Sequence, residues 1–363
     1  MKTLLHVFPT FAIGGQQIRL IQIANRTQNE YRHIILALNG DYSAKSKFLP
    51  DTDVHYLETE DFKSLPIFTR LPKICSILKS QQFDVLMTYN WGSIEWTLCG
   101  RLLSKVPVIH WEDGFGPDEK EKRKLHRNFF RRLVLSTSST TKLVVPSLGL
   151  LDIAKQEWGL RGSRLVYFPN GIALPDPEMA KQTASPKIEH SHPTTIATLA
   201  TLRAEKNIPR LIDAFANMVS RGRLKIGGDG PVLASLQKYV SSLGLENQVT
   251  FTGRVEDVWA FFDDVDIFAI SSDTEQMPIS VLEAMAVGLP IVSTDVGDVR
   301  NMLSTTNASY VVSPDKFAKA LNDLASTPEK WHTLGADNKH KVKHAYSFEL
   351  VLQNFRKLTG SRL

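Results

Sequence analysis

The sequence predicts an α/β protein built from two doubly wound parallel-sheet domains. Three observations lead there. The chain has 363 residues, more than one ordinary core organises and enough for two. Short β-rich apolar runs alternate with amphipathic helical patterns over nearly the whole length, as expected of parallel strands covered by helices on both faces. Residues 173–193 break that alternation with Pro175, Pro177, Pro186 and Pro193 among polar residues, which reads as a linker between two similar halves.

In order, strands are expected at residues 3–8, 33–38, 84–89, 106–111, 142–146 and 165–168, with helices at 72–79 and 94–103 among the connections. After the linker, strands are expected at 195–201, 224–227, 249–252, 266–270, 290–294 and 310–312. A helical pattern at 348–357 follows a polar stretch and is expected to return to the first half. The domains are therefore drawn as 1–172 and 173–345, with residues 346–363 packing back on the first. Open sheets of this kind bind ligands beyond the carboxyl ends of their strands, so two such sheets facing each other would form a central cleft.

Composition excludes several classes. With 42% hydrophobic and 22% charged residues the chain is neither disordered nor fibrous. No apolar run reaches the roughly 18 residues that a membrane span needs. The opening apolar stretch is interrupted by Pro9 and followed by Gln16, Gln17 and Arg19 with no clear cleavage site, so it reads as a buried strand, not a leader. Cys75 and Cys99 give neither metal spacing nor a disulfide framework, which fits a reducing cytoplasm. A net charge of +5 favours anionic partners, either phosphate-bearing substrates or an acidic membrane surface. Nucleic acid is disfavoured because the basic residues cluster in one helix and no binding module is recognised.

The strongest chemical signal is residues 271–298, SSDTEQMPISVLEAMAVGLPIVSTDVGD. Pro278 suits the first turn of a helix, with Glu275 in the loop before it and Glu283 inside it. A helix N-terminus offers free N–H groups and a positive dipole end to a diphosphate, and a carboxylate one or two turns in can accept from ribose hydroxyls. The alternative is a solvated helix face. The segment resembles the donor-site signature of retaining GT-B glycosyltransferases of family 4: Glu275, Glu283, Ala284-Met285-Ala286, Gly288 and Pro290 stand at every position of its Glu-x7-Glu and Ala-Met-Ala-x-Gly-x-Pro pattern. The resemblance implies that Glu283 binds the donor ribose, that Glu275 contacts the transferred sugar, and that Met277, Pro278 and Ile279 line the donor site at the helix start.

Other segments extend the resemblance over most of the chain. Residues 168–172, with Asn170, resemble the Pro-Asn-Gly-Ile turn that closes the first domain. Residues 200–207, ATLRAEKN, resemble the start of the donor domain, where an Arg and a Lys neutralise the diphosphate. Lys206 matches the Lys; the usual Arg position is Thr201, and Arg203 two residues on is the candidate to substitute for it. Residues 227–231 carry a Gly-rich turn in which Gly228 either shapes the turn or admits the donor. Arg254 and Val255 lie in the segment that resembles the base contact. In the first half, Gly14, Gly15 and Gln16 follow the first strand and resemble the family's Gly-Gly loop, facing donor phosphate and acceptor.

One departure stands at residues 106–118, VPVIHWEDGFGPD. The family's His falls on Asp113 here, so Asp113 or Glu112 is expected near the reacting sugar. His110 is either a second acceptor-side group or a buried strand histidine. Residues 119–132 hold seven Lys or Arg against two Glu, with Leu125, Phe129 and Leu133 on one helical face. That pattern reads either as a membrane-surface helix, over 119–133, or as a solvated helix whose apolar stripe enters the core.

No metal set or cofactor is expected; the resemblance implies a UDP- or GDP-sugar as substrate and a glycan or lipid-linked acceptor. Asp113, Lys206 and Glu275 are the expected catalytic residues of a retaining, metal-independent hexosyl transfer, and surface-polysaccharide synthesis on the inner face of the cell membrane is the expected setting. A non-catalytic GT-B scaffold and a sugar-nucleotide epimerase are the competing readings.

Overall fold

The structure is a computed structural model that describes residues 1–58, 62, 65–103, 106–115, 124–136, 140–175, 193–219 and 222–360. It divides into two compact units, Met1–Asn170 with Val351–Leu363, and Gly171–Leu350. All but residues 173–175 and 193 of the expected linker lies outside the described residues.

Among the described residues of the first unit, seven parallel strands form one sheet: β1 (Lys2–Phe8), β2 (Tyr31–Ala37), β3 (Val54–Leu57), β4 (Val85–Tyr89), β5 (Val108–Trp111), β6 (Thr141–Val145) and β7 (Leu165–Tyr167). Their order is β3-β2-β1-β4-β5-β6-β7, so the direction of winding reverses between β1 and β4. β4 and β5 are buried along their whole length, which is why they read as continuous apolar runs. Helices α1 (Gly15–Arg26), α2 (Ile67–Ser80), α3 (Ile94–Leu103), α4 (Leu125–Ser136) and α5 (Leu148–Gln156) connect them.

The second unit repeats the plan with six strands, β8 (Thr194–Leu199), β9 (Gly222–Gly227), β10 (Val249–Gly253), β11 (Ile267–Ile270), β12 (Ile291–Thr294) and β13 (Val311–Val312), in the order β10-β9-β8-β11-β12-β13. Its longer helices are α6 (Ile208–Ala216), α7 (Leu233–Ser242), α8 (Ile279–Val287), α9 (Phe317–Ala325) and α10 (Trp331–Ala345). α8 stops at Gly288, whose φ of 85° is the left-handed turn that glycine makes at least cost. α10 crosses that stop so closely that a Cβ on Gly335 would lie 1.8 Å from the Gly288 carbonyl oxygen. This contact fixes the C-terminal end of the helix that carries Glu283.

A last helix, α11 (Phe348–Thr359), starts in the second unit and belongs to the first from Val351 onward. Arg356 donates from Nε and Nη2 to both oxygens of Glu30, and Phe355 packs edge-on to Tyr31, whose hydroxyl meets Thr359 Oγ1 at 2.9 Å.

Each of the expected strands is present within a residue or two of its bounds. Two features differ. β3 is an additional, half-exposed edge strand whose four residues carry too little apolar pattern to be seen. α2 opens at Ile67, not Pro72: the Pro66 carbonyl accepts from Thr69 and Arg70, and Pro72 sits inside the helix, where it forfeits one backbone bond on a partly exposed face.

Candidate active site

In the second unit the segment between β11 and α8 is held from three sides. Thr294 Oγ1 donates to the Ser272 carbonyl at 2.6 Å, and Arg210 Nη1 to the Ser271 carbonyl at 2.6 Å. From below, Gly297 (φ 53°) passes so near that a Cβ would lie 2.4 Å from the Gln276 carbonyl oxygen and 2.6 Å from that of Glu275. The segment so fixed presents Glu275. Its Oε1 accepts from Lys206 Nζ at 2.6 Å and from Ser272 Oγ at 2.8 Å, while Oε2 has no hydrogen-bond partner among the described residues. Both side chains are largely buried, 20% exposed for Lys206 and 10% for Glu275. A charge-assisted pair at that depth is strong and well oriented.

α8 follows, with Pro278 at its N-cap, Met277 buried and Ile279 half-buried. Its first N–H groups have no acceptor within the helix. Glu283 lies one turn further on. It is partly buried, has no hydrogen-bond partner among the described residues, and burial pushes its carboxyl up to about 7. A buried carboxyl without a donor is costly to keep charged, so this position gains from any ligand that brings hydroxyl donors.

The loop after β8 brings Lys206. Asn207 follows in the left-handed region (φ 43°, ψ 48°) and caps α6 by accepting from Arg210 N. Gly228 and Gly230 let the turn after β9 lie against this loop: Cβ atoms there would fall 1.8 Å from the Ala200 carbonyl oxygen and 2.3 Å from that of Leu202. Both glycines therefore serve the approach of two loops, whatever ligand they also admit. Thr201, Arg203 and Arg254 are exposed, and the Arg203 side chain has no partner among the described residues; Val255 is half-buried against the core.

In the first unit, Gly14, Gln16, Asp113 and Asn170 gather at the carboxyl ends of the strands, joined by Arg19 and Asn90, which sequence reasoning missed. Arg19, on α1 and 7% exposed, donates from Nη2 to both Asp113 oxygens at 3.0 and 2.9 Å and from Nη1 to Asn170 Oδ1 at 2.8 Å. Its guanidinium lies 4.7 Å from the centre of the Trp111 ring. Asn90 exchanges amide hydrogen bonds with Gln16 and accepts from the Asp113 N–H at 2.9 Å. The two loop glycines differ. A Cβ on Gly14 would meet Gln17 Oε1 at 2.8 Å, whereas one on Gly15 would meet nothing within 4 Å.

His110 and Glu112, expected on the acceptor side, are fully buried, so neither presents a surface to a ligand. His110 Nδ1 is bound by Thr88 and Thr97 hydroxyls. Glu112 Oε2 accepts from Arg131 Nε at 3.3 Å. Arg131 is itself fully buried, with its guanidinium against the rings of Trp91, Phe115 and Trp158 at 5.1 to 5.3 Å. Because α4 turns Arg131, Val134 and Leu135 inward, its apolar stripe points outward: Leu125 is 84%, Phe129 68% and Leu133 45% exposed. Residues 119–123 of the basic run lie outside the described residues.

Among the described residues no group of three or more His, Cys, Asp or Glu side chains could hold a metal, and no helix is long and apolar enough to cross a membrane.

Comparison with known proteins matches residues 13–174 to Glycosyltransferase Family 4 and residues 180–341 to Glycosyl transferases group 1. Mannosylfructose-phosphate synthase of Agrobacterium fabrum is 24% identical over 77% of this chain and 69% of its own length. The UDP-Gal:alpha-D-GlcNAc-diphosphoundecaprenol alpha-1,3-galactosyltransferase of Escherichia coli is 25% identical over 79% of this chain and 73% of its own. Alpha-monoglucosyldiacylglycerol synthase of Streptococcus pneumoniae is 26% identical, over 44% of this chain and 40% of its own. Among solved structures, sucrose-phosphate synthase from Thermosynechococcus elongatus superposes with a TM-score of 0.78 at 17% identity, covering 98% of each chain. Anabaena HepE in complex with UDP and glucose does so with 0.77 at 16% identity, covering 99% of this chain and 100% of its own.

Proposed function

Because the chain belongs to the GT-B glycosyltransferases of the family 4 type, we propose that it moves a hexosyl group from a nucleoside-diphosphate sugar to a hydroxyl of a glycan or lipid-linked acceptor, with retention and without a metal ion. The observation that carries this reading is the second-unit arrangement: Lys206 paired with Glu275 ahead of α8, and Glu283 unpartnered within that helix. A leaving diphosphate needs fixed positive charge where its own charge develops; Lys206 and the α8 N-terminus supply it without reorganisation. Exposed Arg203 is the second cation. The free oxygen of Glu275 accepts from the transferred sugar, and Glu283 accepts from ribose. No covalent nucleophile stands out among the described residues, so in this reading the departing phosphate takes the acceptor proton in a front-face displacement.

UDP sugars are the first donors to test, since HepE was solved with UDP and glucose. Two of the named relatives, the monoglucosyldiacylglycerol synthase and the GlcNAc-diphosphoundecaprenol galactosyltransferase, carry lipids in their names, which supports testing a lipid-linked acceptor. The outward stripe of α4, with Arg132 exposed beside it, suits an anionic bilayer on which a lipid-linked acceptor would lie. Vesicle flotation tests this: Phe129→Ser is expected to lower binding to phosphatidylglycerol vesicles several-fold, and equal binding would remove the membrane from the account.

The test of the reaction is proton NMR of the product formed from UDP-glucose, UDP-galactose, UDP-N-acetylglucosamine or GDP-mannose with a membrane lipid extract as acceptor. An α-linked product from the α-linked donor supports retention. A β-linked product contradicts it, and 2-epimerised nucleotide sugar without transfer favours the epimerase reading.

A further inference from the structure

The first-unit cluster contains a device that neither the motif nor the comparisons assign. Arg19 is a nearly buried cation reaching two loops far apart in sequence, through Asp113 after β5 and Asn170 after β7, while resting on the Trp111 ring. Beside it, Asn90 holds φ 56° and ψ 176°, a backbone region that side-chain-bearing residues avoid. That conformation aims the Asn90 amide so that it pairs with Gln16 and also accepts from the backbone N–H of Asp113. Asp113 is thus held twice, at its N–H by Asn90 and at its carboxylate by Arg19. It nevertheless keeps 19% of its side chain exposed. One nitrogen serves both its oxygens, and a carboxylate has about four acceptor positions, so lone pairs remain for a further donor.

We propose that Arg19 is a positioning residue: it locks the Asp113 carboxylate in one orientation, as a fixed acceptor for a hydroxyl of the sugar substrate, with Asn90 and Gln16 as the brace. The inference rests on the glycosyl-transfer reading and deepens it. A neutral or mobile group at residue 113 would have to be ordered in each turnover; the ion pair on the aromatic ring supplies that order beforehand. Asp113 touches substrate, and Arg19 acts through it.

The test compares full-length wild type with Arg19→Ala, Arg19→Lys, Asp113→Asn and Arg19→Ala/Asp113→Asn. The readout is UDP or GDP release from UDP-glucose, UDP-galactose, UDP-N-acetylglucosamine and GDP-mannose, and each variant is also melted. Arg19→Ala is expected to lower kcat at least about tenfold with donor KM changed by less than about threefold. Added guanidinium ion should restore part of the loss, and Arg19→Lys should retain more activity than Arg19→Ala. In the Asp113→Asn background, removing Arg19 should cost less than about twofold more, with no rescue. Should Arg19→Ala unfold, Arg19→Lys carries the test through its kcat and KM. An Arg19→Ala enzyme within twofold of wild type overturns the proposal. So does a loss that is unaffected by guanidinium and equally large with Asp113 already replaced. A wild type inert with all four donors would instead sink the transfer reading, and this inference with it.

Discussion

The two units treat charge in opposite ways at the same place in the same architecture, beyond the carboxyl ends of a parallel sheet. In the first, Arg19, Asp113, Asn170, Asn90 and Gln16 hold one another in place, and Asp113 keeps acceptor positions open on its exposed side. In the second, a Glu275 oxygen and the whole Glu283 carboxyl lack donors among the described residues, and Arg203 is open to solvent. A closed network is preorganised before any ligand arrives, whereas an open one stores a cost that a ligand relieves. Removing a charge should therefore weaken the first unit, and at Glu283 strengthen the second.

The largest effect expected is catalytic. Lys206→Ala removes the cation beside Glu275 and should cut turnover by about a hundredfold, ~2.7 kcal/mol, in steady-state nucleotide release. Activity above half of wild type would place the diphosphate elsewhere. Next in size is Arg19→Ala, which leaves the Asp113 carboxylate without its cation. Urea unfolding should show a loss of about 2–4 kcal/mol, part of it regained when Asp113→Asn is added.

Glu283 should show the opposite sign. Its folded carboxyl sits at about 7, above the ordinary 4.5, so the folded chain holds this proton more tightly than the unfolded one. Stability is then full below about 4.5, falls as pH rises through the interval to about 7, and is level above it. Glu283→Gln should flatten that decline and be more stable than wild type at pH 8 by roughly 1–2 kcal/mol, with no difference at pH 4. A variant less stable than wild type at pH 8 would show that Glu283 has a partner in the folded state. The smallest effect on stability is expected at Gly15. Because no protein atom stands where its Cβ would go, Gly15→Ala should melt within about 0.5 kcal/mol of wild type and still lose donor turnover. In contrast, Gly228→Ala meets the Ala200 carbonyl at φ 121° and should cost more than about 2 kcal/mol.

Much of this was legible in the residues. Parallel strands buried on both faces leave unbroken apolar runs, so twelve strands could be placed, and the Glu275-to-Pro290 cassette keeps loop, helix and stop adjacent in sequence. What was not legible depends on distance or on backbone angles. Arg19 reads as an ordinary polar position of α1 because its partners lie at residues 113 and 170. Asn90 reads as a turn residue because its positive φ leaves no mark in the chain. Gly297 could have been suspected from its place in the turn that follows β12, but the carbonyls it passes belong to residues 275 and 276. α4 shows the limit of periodicity. Leu125, Phe129 and Leu133 form a stripe that fits a core or a surface equally well. The choice is made by Arg131, whose aromatic box and Glu112 partner pay for burying a cation and turn the stripe outward.

The central claim, that the second unit binds a nucleoside diphosphate through Lys206, the start of α8 and Glu283, is tested most directly by titration calorimetry. UDP and GDP would be titrated into wild type and Glu283→Ala, each with and without EDTA. The account predicts binding of one of the two nucleotides, unchanged by EDTA and weakened at least about tenfold in the variant. Binding that Glu283→Ala leaves intact, or that EDTA abolishes, would contradict it.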